Sequence, residues 1–274
     1  MKPLLSIITA TYNAVDTIES TILSVINQDY PNIEYIIIDG GSTDGTVDII
    51  KKYNNKIAYW VSEPDNGLYD AMNKGILQAT GEWVTMRNCG DFFAEKKSLS
   101  KLFSEPVPND VDFVCANAYR VGELGYYITK PRPIESVLKK MPIVHPATFV
   151  RTNWHKKNLF DIRFRVAADY NLVYNSYKKG CKFEYRDLAI VVFPEGGYSN
   201  IHWQVGVKDG YITRGQYCTF LQKIKFHVMI TMKNIKSDIL KVFKKVPFLK
   251  KKRDNMIVNM LGIKPLPIPL ERFF

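Results

Sequence analysis

Polar side chains follow each of the first four apolar runs of the chain. The segments are TATYN at residues 9–13, DGGSTDGT at residues 39–46, SEPDNGLYDAMNKG at residues 62–75 and RNCGD at residues 87–91. Three of the four carry acids, and carboxylates repel a phosphate-bearing ligand unless a cation lies between them. The pattern therefore predicts Mg²⁺ or Mn²⁺ bridging Asp91 and a diphosphate.

The elements that position these segments alternate between strands and helices. Strands are predicted at residues 4–9, 33–38, 57–61 and 83–86, and helices at residues 15–27, 44–53 and 68–79. Ser42 or Thr43 is available to cap the second helix. This order predicts a doubly wound, mostly parallel α/β sheet flanked by helices. In such a sheet, ligands bind at the carboxyl ends of the strands, where the polar segments lie.

The pattern becomes less regular after residue 91. A helix is predicted at residues 97–103, a strand at 112–116 and a hairpin within 119–130. Another helix is predicted at residues 167–178, closed by Gly180, and is followed by short strands at 183–185 and 189–193. We predict one α/β domain over residues 1–215 and a basic helical extension over residues 216–274.

The net charge of +11 is concentrated in that extension. Residues 223–253 hold eleven basic residues and one acid, whereas residues 1–222 carry a net charge of +1. Apolar side chains recur there at helical spacing: Phe220, Ile224, Val228, Ile235, Ile239, Val242 and Phe243. This is typical of an amphipathic helix on an anionic membrane surface, where each basic residue contributes about 1 kcal/mol. The alternative is a helix that packs on its own domain and exposes its lysines.

Several classes of function are excluded or disfavoured. A charge confined to one segment argues against a nucleic-acid-binding surface on the main body. The glycines after Asp39 do not form G-x-G-x-x-G, and no P-loop motif is present. Four scattered cysteines without a C-x-x-C pair argue against a disulfide framework or a zinc site, and they fit a reducing cytoplasm. We therefore expect a cytoplasmic protein, peripheral on the inner face of the plasma membrane.

The segments SIITATYN at residues 6–13, IDGGSTDGT at 38–46 and SEPDNGLYDAMNKG at 62–75 resemble the family 2 inverting glycosyltransferases, which have the GT-A fold. The resemblance is continuous over about residues 4–93. It returns as short matches at HPATF (145–149), ADY (168–170) and FPEGGYS (193–199). It implies transfer of a sugar from a nucleotide-sugar, UDP-linked, to a hydroxyl of a lipid-linked or saccharide acceptor in surface polysaccharide synthesis.

The resemblance also implies a role for each matching residue. Asp39 would accept a hydrogen bond from the base, Thr9 and Tyr12 would line the base and ribose, and Lys74 would offset the diphosphate charge. The residues implied to contact the donor are Thr9, Tyr12, Asn13, Asp39, Gly41, Ser42, Asp65, Asp70, Asn73 and Lys74.

Two further acids would carry the chemistry. Asp91 would bind the metal in a D-x-D-like motif whose first acid is replaced here by Gly90, an N-x-G-D variant. Asp169 would be the general base that takes the proton of the acceptor hydroxyl, a role that typically contributes about 10²–10⁴-fold. The residues expected on the acceptor side are His145, Glu195, Tyr198 and His202.

Two alternatives remain at this point. A nucleotidyltransferase shares a sheet with acids at the strand ends, but residues 9–13 contain no glycine for a triphosphate-binding loop. A non-catalytic, membrane-associated module that kept the fold would be consistent with Gly90. Binding of a nucleoside diphosphate with Mn²⁺ distinguishes the latter from an enzyme.

Overall fold

The computed structural model describes residues 2–244, 254–255, 257–259 and 261–264, and within the last long helix it describes side chains as far as residue 235. The basic run at residues 250–253 and the side chains of Ile239, Val242 and Phe243 lie outside the described residues.

The first half of the chain confirms the predicted alternation. Its elements are β1 (Leu5–Thr11), α1 (Ile18–Ile26), β2 (Ile33–Asp39), α2 (Thr46–Lys52), β3 (Tyr59–Ser62), α3 (Leu68–Gln78) and β4 (Trp83–Met86). β1 runs two residues further than predicted. The predicted cap of α2 was wrong, because Asp44 rather than Ser42 or Thr43 accepts hydrogen bonds from the amide and hydroxyl of Thr46.

The second half contains shorter elements. They are β5 (Phe92–Phe93), α4 (Ser98–Leu102), β6 (Phe113–Gly122), β7 (Gly125–Thr129), β8 (Thr148–Arg151), α5 (Thr152–Lys157), α6 (Ala168–Lys178) and β9 (Phe183–Pro194). β6 and β7 form the predicted hairpin. The two short strands predicted after α6 form one strand, β9, which is interrupted by an irregularity in its register with β6.

In the described part of the chain these strands form one mixed sheet in the order β3-β2-β1-β4-β8-β6-β9-β5, with β7 paired to β6. The first four strands are parallel, as predicted. β8 is antiparallel to both β4 and β6. Helical crossovers enforce parallel pairing in the first half, whereas the second half uses a hairpin and short connections. The carboxyl ends of β1 to β4 therefore meet at one edge of the sheet.

The sheet is covered on both faces, which explains why every residue of β1 is buried. Alternate side chains of β1 enter different core layers, since Ile7 packs on the α1 and α4 side and Ile8 packs on the α3 and α6 side. Full burial of each such side chain contributes about 1.5–3 kcal/mol. The sheet edge is thus a rigid support for the loops that leave it.

The chain after β9 forms α7 (Tyr198–Ile201), α8 (Trp203–Thr213) and α9 (Phe220–Lys244). α9 is attached through Phe226, which is 4% exposed and packs edge-on against Tyr211 and Tyr217. Further on, Lys264 forms an antiparallel bridge with Tyr126 of β7. Among the described residues, no helix is long and apolar enough to cross a membrane.

Candidate active site

The segments that follow β1, β2 and β3 form a connected rim at the carboxyl edge of the sheet. Thr11 pairs with Asp39, and Asp39 pairs with Ser62, so the three strands end at the same level. Asn13 ties the first two segments together, because its amide donates to the Ser42 hydroxyl (2.7 Å) and its side-chain oxygen accepts from the Thr43 amide (3.0 Å).

Asp39 organises this rim from inside. It has no exposed surface, and its Oδ2 accepts from the amides of Gly41 (3.1 Å) and Ser42 (2.8 Å) and from the Ser62 hydroxyl (2.6 Å). Its Oδ1 accepts from the Ser42 hydroxyl. Three of these donors lie on Oδ2 and one on Oδ1, so Oδ1 retains an acceptor position. The hydrogen bond from Asp39 to a base stays a prediction.

Tyr12, Gly40 and Asp65 come close together at the rim. A Cβ at residue 40 would lie 2.6 Å from Asp65 Oδ2 and 3.3 Å from Tyr12 Cδ2, so a larger residue would displace the Asp65 side chain. Tyr12 is 65% exposed, which leaves its ring free to stack on a planar group. Asp65 accepts from the Gly67 amide (2.7 Å) through Oδ1 and directs Oδ2 towards Gly40.

The predicted ligand contact of the Thr9 side chain was wrong. Thr9 is fully buried, and its hydroxyl pairs with that of Tyr35 at 3.0 Å. The reason is the extra length of β1, which places Thr9 two residues below the sheet edge and brings Thr11 to the rim instead.

The α3 residues predicted to contact the donor hold the fold together. Asn73 is 9% exposed and exchanges two hydrogen bonds with the backbone of Phe160 (2.8 and 2.9 Å). Asp70 accepts from the Asn66 amide (2.9 Å) and closes the turn before its own helix. Lys74 pairs with Glu63 (2.6 Å) and donates to the Pro64 carbonyl, so its charge is already neutralised. The Asn73 contacts correct its predicted role, whereas the donor contacts of Asp70 and Lys74 stay predictions.

The N-x-G-D motif forms a tight turn after β4. The Asp91 amide donates to the Asn88 carbonyl (3.0 Å), and Gly90 has a φ of +88°, which favours glycine. Burial raises the pKa of Asp91 to about 7, although the Arg87 guanidinium opposes this shift. A carboxylate in this setting favours a nearby positive charge.

The turn fits a divalent cation that takes some of its ligands from the protein and the others from a diphosphate. The Asn88 Oδ1 atom is buried and has no hydrogen-bond partner in the described part of the chain, so the turn that carries Asp91 also holds an unpaired amide oxygen. No cluster of three or more acidic, histidine or cysteine side chains occurs among the described residues. One carboxylate plus phosphate oxygens and water is an environment that suits Mg²⁺.

Arg87 is a buried cation beneath the turn. It has no exposed surface, its Nη1 donates to the Pro146 carbonyl (2.9 Å), and its guanidinium lies 4.1 Å from the centre of the Phe93 ring. Its Nε and Nη2 have no partner among the described residues. Burial lowers the pKa of Arg87 to about 10, so it stays charged at neutral pH.

Asp169 lies in the first turn of α6, with its side chain 22% exposed. Its Oδ1 accepts from the Tyr170 amide (2.8 Å) and lies 3.2 Å from the Tyr69 hydroxyl, while its Oδ2 is 4.0 Å from His145 Nδ1. Burial raises the pKa of Tyr69 well above its usual value, so Tyr69 keeps its single proton, which it shares between Asp169 Oδ1 and the Val166 carbonyl at 2.9 Å. Burial lowers the pKa of His145, and although Asp169 opposes this shift, the ring stays neutral at pH 7. The Oδ2 atom is therefore free to accept a proton.

A chain of contacts links Asp169 to the end of β4. Arg87 Nη1 donates to the Pro146 carbonyl, and the preceding residue, His145, lies 4.0 Å from Asp169. The Arg87 guanidinium also counteracts the raised pKa of Asp91. Cys89, within the turn, is influenced by both Asp91 and Asp39.

A residue of α8 supports the segment that carries Asp169. Asp209 is 6% exposed, and its Oδ2 accepts from the amides of Val166 (3.1 Å) and Ala167 (3.2 Å). These amides directly precede α6, where a carboxylate also interacts favourably with the helix dipole. Asp209 therefore fixes the start of the helix that presents Asp169.

The other residues expected on the acceptor side lie further along the chain. Glu195 is exposed and accepts a hydrogen bond from Tyr127 of β7 (3.0 Å). Tyr198 and His202 contact each other on α7, with ring centres 4.3 Å apart. In the described part of the chain, the structure joins these three to Asp169 by no hydrogen bond or ion pair, and their role stays a prediction.

Sequence reasoning missed Tyr69, Arg87, Asn88 and Asp209. Asn88 and Arg87 stood within the segment singled out after β4, and their burial was the missing information. Tyr69 is separated from Asp169 by 100 residues and Asp209 from Ala167 by 42, so no local pattern connects them.

A mixed sheet whose parallel strands end in a polar rim, with an acidic turn and a partly buried carboxylate at the same edge, defines a GT-A-type α/β protein. The profile of Glycosyl transferase family 2 matches residues 6–167, more than half of the chain. The chain belongs to this family.

Relatives and solved structures agree with this assignment. The chain is 43% identical over 93 residues to an uncharacterized glycosyltransferase of Mycobacterium tuberculosis, covering 34% of this chain and 36% of the relative. It is 40% identical over 104 residues to TuaG of Bacillus subtilis, named as a teichuronic acid biosynthesis glycosyltransferase, covering 37% and 41%. The matched segments thus span little more than a third of these relatives.

Two solved structures share the fold. Staphylococcus aureus TarS 1–349 in complex with UDP-GlcNAc has a TM-score of 0.58 at 21% identity, covering 71% of this chain and 59% of that chain. The mannosyltransferase PcManGT from Pyrobaculum calidifontis in complex with GDP-Man and Mn²⁺ has a TM-score of 0.59 at 20% identity, covering 78% and 63%.

Proposed function

We propose that the protein is an inverting glycosyltransferase that moves a sugar from a nucleotide-sugar, UDP-linked, to a hydroxyl of a lipid-linked or saccharide acceptor in surface polysaccharide synthesis. The family assignment supports the reaction class. The naming of TuaG for teichuronic acid biosynthesis supports the pathway, and the UDP-GlcNAc complex of TarS supports the donor.

The observation that carries the mechanism is the environment of Asp169. Tyr69 and the Tyr170 amide orient one carboxylate oxygen, and the neutral His145 leaves the other free. Asp169 accepts the proton of the acceptor hydroxyl as that oxygen attacks the anomeric carbon. A single displacement of this kind inverts the configuration at that carbon.

The rim and the turn after β4 hold the donor. Tyr12 stacks on the base, and Asp65 and the loop organised by Asp39 enclose the nucleoside. Asp91 and Asn88 Oδ1 would hold a divalent cation, Mn²⁺ or Mg²⁺, which would stabilise the negative charge of the leaving diphosphate. Arg87 adds a fixed positive charge beneath that position.

The test is Asp169→Asn, which keeps the shape of the side chain and removes the base. With Mn²⁺, UDP-sugars and a lipid-linked acceptor, we expect release of UDP to fall about 10²–10⁴-fold while UDP binding is retained. Asp161→Asn serves as a matched control, because Asp161 pairs with Arg163 and not with the site. Release within threefold of the unmodified protein would contradict the assigned base.

The C-terminal extension, residues 216–274, is proposed to contact an anionic membrane on the inner face of the plasma membrane. One side of α9 exposes Phe220, Leu221, Ile224, Val228, Met232 and Ile235. Lys223, Lys225 and Lys233 stand on the same helix. Binding to phosphatidylglycerol vesicles that is lost at high salt and in Leu221→Ser/Val228→Ser would support this contact. Equal binding to phosphatidylcholine vesicles would contradict it.

A further inference from the structure

A second hollow lies at the base of the β6–β7 hairpin. It has a volume of about 390 Å³, and its walls include Asn117, Lys130, Arg132, Tyr185 and Asp187. None of these residues belongs to the rim or to the turn after β4.

An irregularity in β9 creates this hollow. Ala116 of β6 pairs with Arg186, but the next residue, Asn117, pairs with Ala189. Asp187 and Leu188 are therefore extra residues on β9, and the strand bulges at this point. Bulges of this kind re-aim side chains and are common beside active sites.

A polar cluster lines the hollow. Asp187 accepts hydrogen bonds from Asn117 Nδ2 (2.7 Å) and from Lys130 Nζ (2.6 and 2.9 Å). Asn117 is 4% exposed, so its position is determined by the sheet. The cluster offers both donors and acceptors in a defined arrangement.

Two side chains at this hollow remain available to a ligand. Tyr185 is 42% exposed and presents an aromatic face. The Arg132 side chain is exposed and forms no hydrogen bond or ion pair in the part of the chain that the structure describes. Since Lys130 is neutralised by Asp187, Arg132 gives the hollow an unpaired positive charge.

We propose that this hollow binds an anionic sugar unit, a uronate or a sugar phosphate, of the acceptor. An aromatic face can cover the apolar side of a sugar ring, and the Asp187 cluster can exchange hydrogen bonds with its hydroxyls. Arg132 pairs with the carboxylate or phosphate through charge-assisted hydrogen bonds.

The chain connects this hollow to Asp169. Residues 130–133 lead directly into the short 3₁₀ helix Ile134–Leu138, and the Val137 carbonyl accepts a hydrogen bond from Tyr170 (2.6 Å), the neighbour of Asp169. The segment that borders the hollow is therefore packed against the helix that carries Asp169. The inference rests on the proposed function, because it assigns the hollow to the acceptor of that reaction.

The experiment measures saccharide binding by titration calorimetry with three probes: a hyaluronan tetrasaccharide, N-acetylglucosamine 1-phosphate and neutral chitotetraose. We expect at least one anionic probe to bind more tightly than chitotetraose, and the two anionic probes separate a uronate from a phosphate preference. Arg132→Ala should weaken the preferred anionic probe about tenfold and abolish the preference. Tyr185→Ala should weaken all probes that bind, whereas Tyr185→Phe should retain them.

Lys97→Ala is the matched control, because it removes an exposed charge outside the hollow. UDP binding with Mn²⁺ should be unchanged in every variant. If the unmodified protein does not bind UDP, that result would count against the proposed function and not against this hollow. Absence of binding by all three probes, or binding unaffected by both Arg132→Ala and Tyr185→Ala, would overturn the proposal.

Discussion

The rim formed after β1 to β3 and the region around Asp91, Arg87 and Asp169 satisfy their polar groups in opposite ways. In the rim, Asp39 alone receives four hydrogen bonds from its own loops. Around β4, in the described part of the chain, two nitrogens of Arg87 and the oxygen of Asn88 are buried without partners, and at the rim the Thr11 hydroxyl is also without one. The rim is thus mostly held by its own hydrogen bonds, whereas the second region keeps more unpaired groups next to the position proposed for the ligand.

The difference suggests that the rim supports the fold, whereas the second region carries the groups that act on a ligand. Unpaired buried polar groups cost about 1–3 kcal/mol each, so they persist only where a rigid surrounding structure holds them. The rim and the buried strands form that surrounding. We therefore expect variants of the rim to lower stability first, and variants of the second region to lower activity first.

Within this comparison, the largest effect on activity is expected at Asp209, which orders the start of α6 and does not belong to the rim. Asp209→Ala removes the acceptor for the Val166 and Ala167 amides, so the Asp169 carboxylate loses its fixed position. We expect kcat to fall about 10–100-fold with an unchanged Kd for UDP, since a small misplacement of a catalytic group has this effect.

Asp209→Asn is the control, because its amide oxygen still accepts a hydrogen bond. It should restore much of the lost kcat, and the pH profile of kcat should return with it. A uniform loss of kcat and UDP binding in Asp209→Ala would instead indicate general unfolding and break the distinction between the two regions.

The largest effect on stability is expected at Asp39, on the rim. Asp39→Ala leaves the amides of Gly41 and Ser42 without their acceptor, and we expect the free energy of unfolding to fall by about 2–4 kcal/mol. Urea denaturation measures this change. Asp48→Ala is the matched control, since its side chain is 79% exposed and it pairs with Lys51 on the surface of α2. Stability unchanged by Asp39→Ala would remove the argument that the rim is held from within.

The two regions also differ in how far the sequence predicted them. The alternating strands and helices of residues 1–93 follow from local periodicity, and β4 begins and ends at the predicted residues. Asp91 was predicted at the sheet edge because it lies in the polar segment after β4, whereas Asp169 was singled out through the family resemblance. The pattern did not reveal that Asn73 faces Phe160, because helical spacing alone does not tell which side of α3 meets a later loop.

Burial was the other quantity that the sequence lacked. Arg87 is an arginine at the end of a short strand, and only the packed Phe93 and Pro146 show that it has no exposed surface. Thr9 stood at the predicted end of β1, but the strand continues to Thr11 and carries Thr9 into the core. Both differences come from tertiary packing, which lengthens β1 and covers Arg87 in ways that the local sequence does not show.

The smallest expected effect concerns Asp91 and depends on pH. Burial raises the pKa of Asp91 to about 7, above the value of about 4 in an unfolded chain. Between these two values the folded protein binds more protons than the unfolded chain, so this group destabilises the fold progressively as pH rises from about 4 to about 7. Below about pH 4 both forms are protonated and the penalty disappears. Because Asp91 is partly exposed, we expect a penalty of about 1–3 kcal/mol at about pH 8.

Asp91→Asn removes this penalty. It tests whether the group that binds the ligand in the second region also lowers the stability of the fold. Urea denaturation should show the variant to be more stable than the unmodified protein at about pH 8, with a gap that closes towards about pH 4. Saturating UDP and Mn²⁺ should stabilise the unmodified protein but not the variant, because only ligand that binds the folded state raises its stability. Asp48→Asn, at an exposed site, should give no pH-dependent gap. A gap of equal size at both pH values would show that Asp91 is no more strained than the acids of the rim, and the contrast between the two regions would be lost.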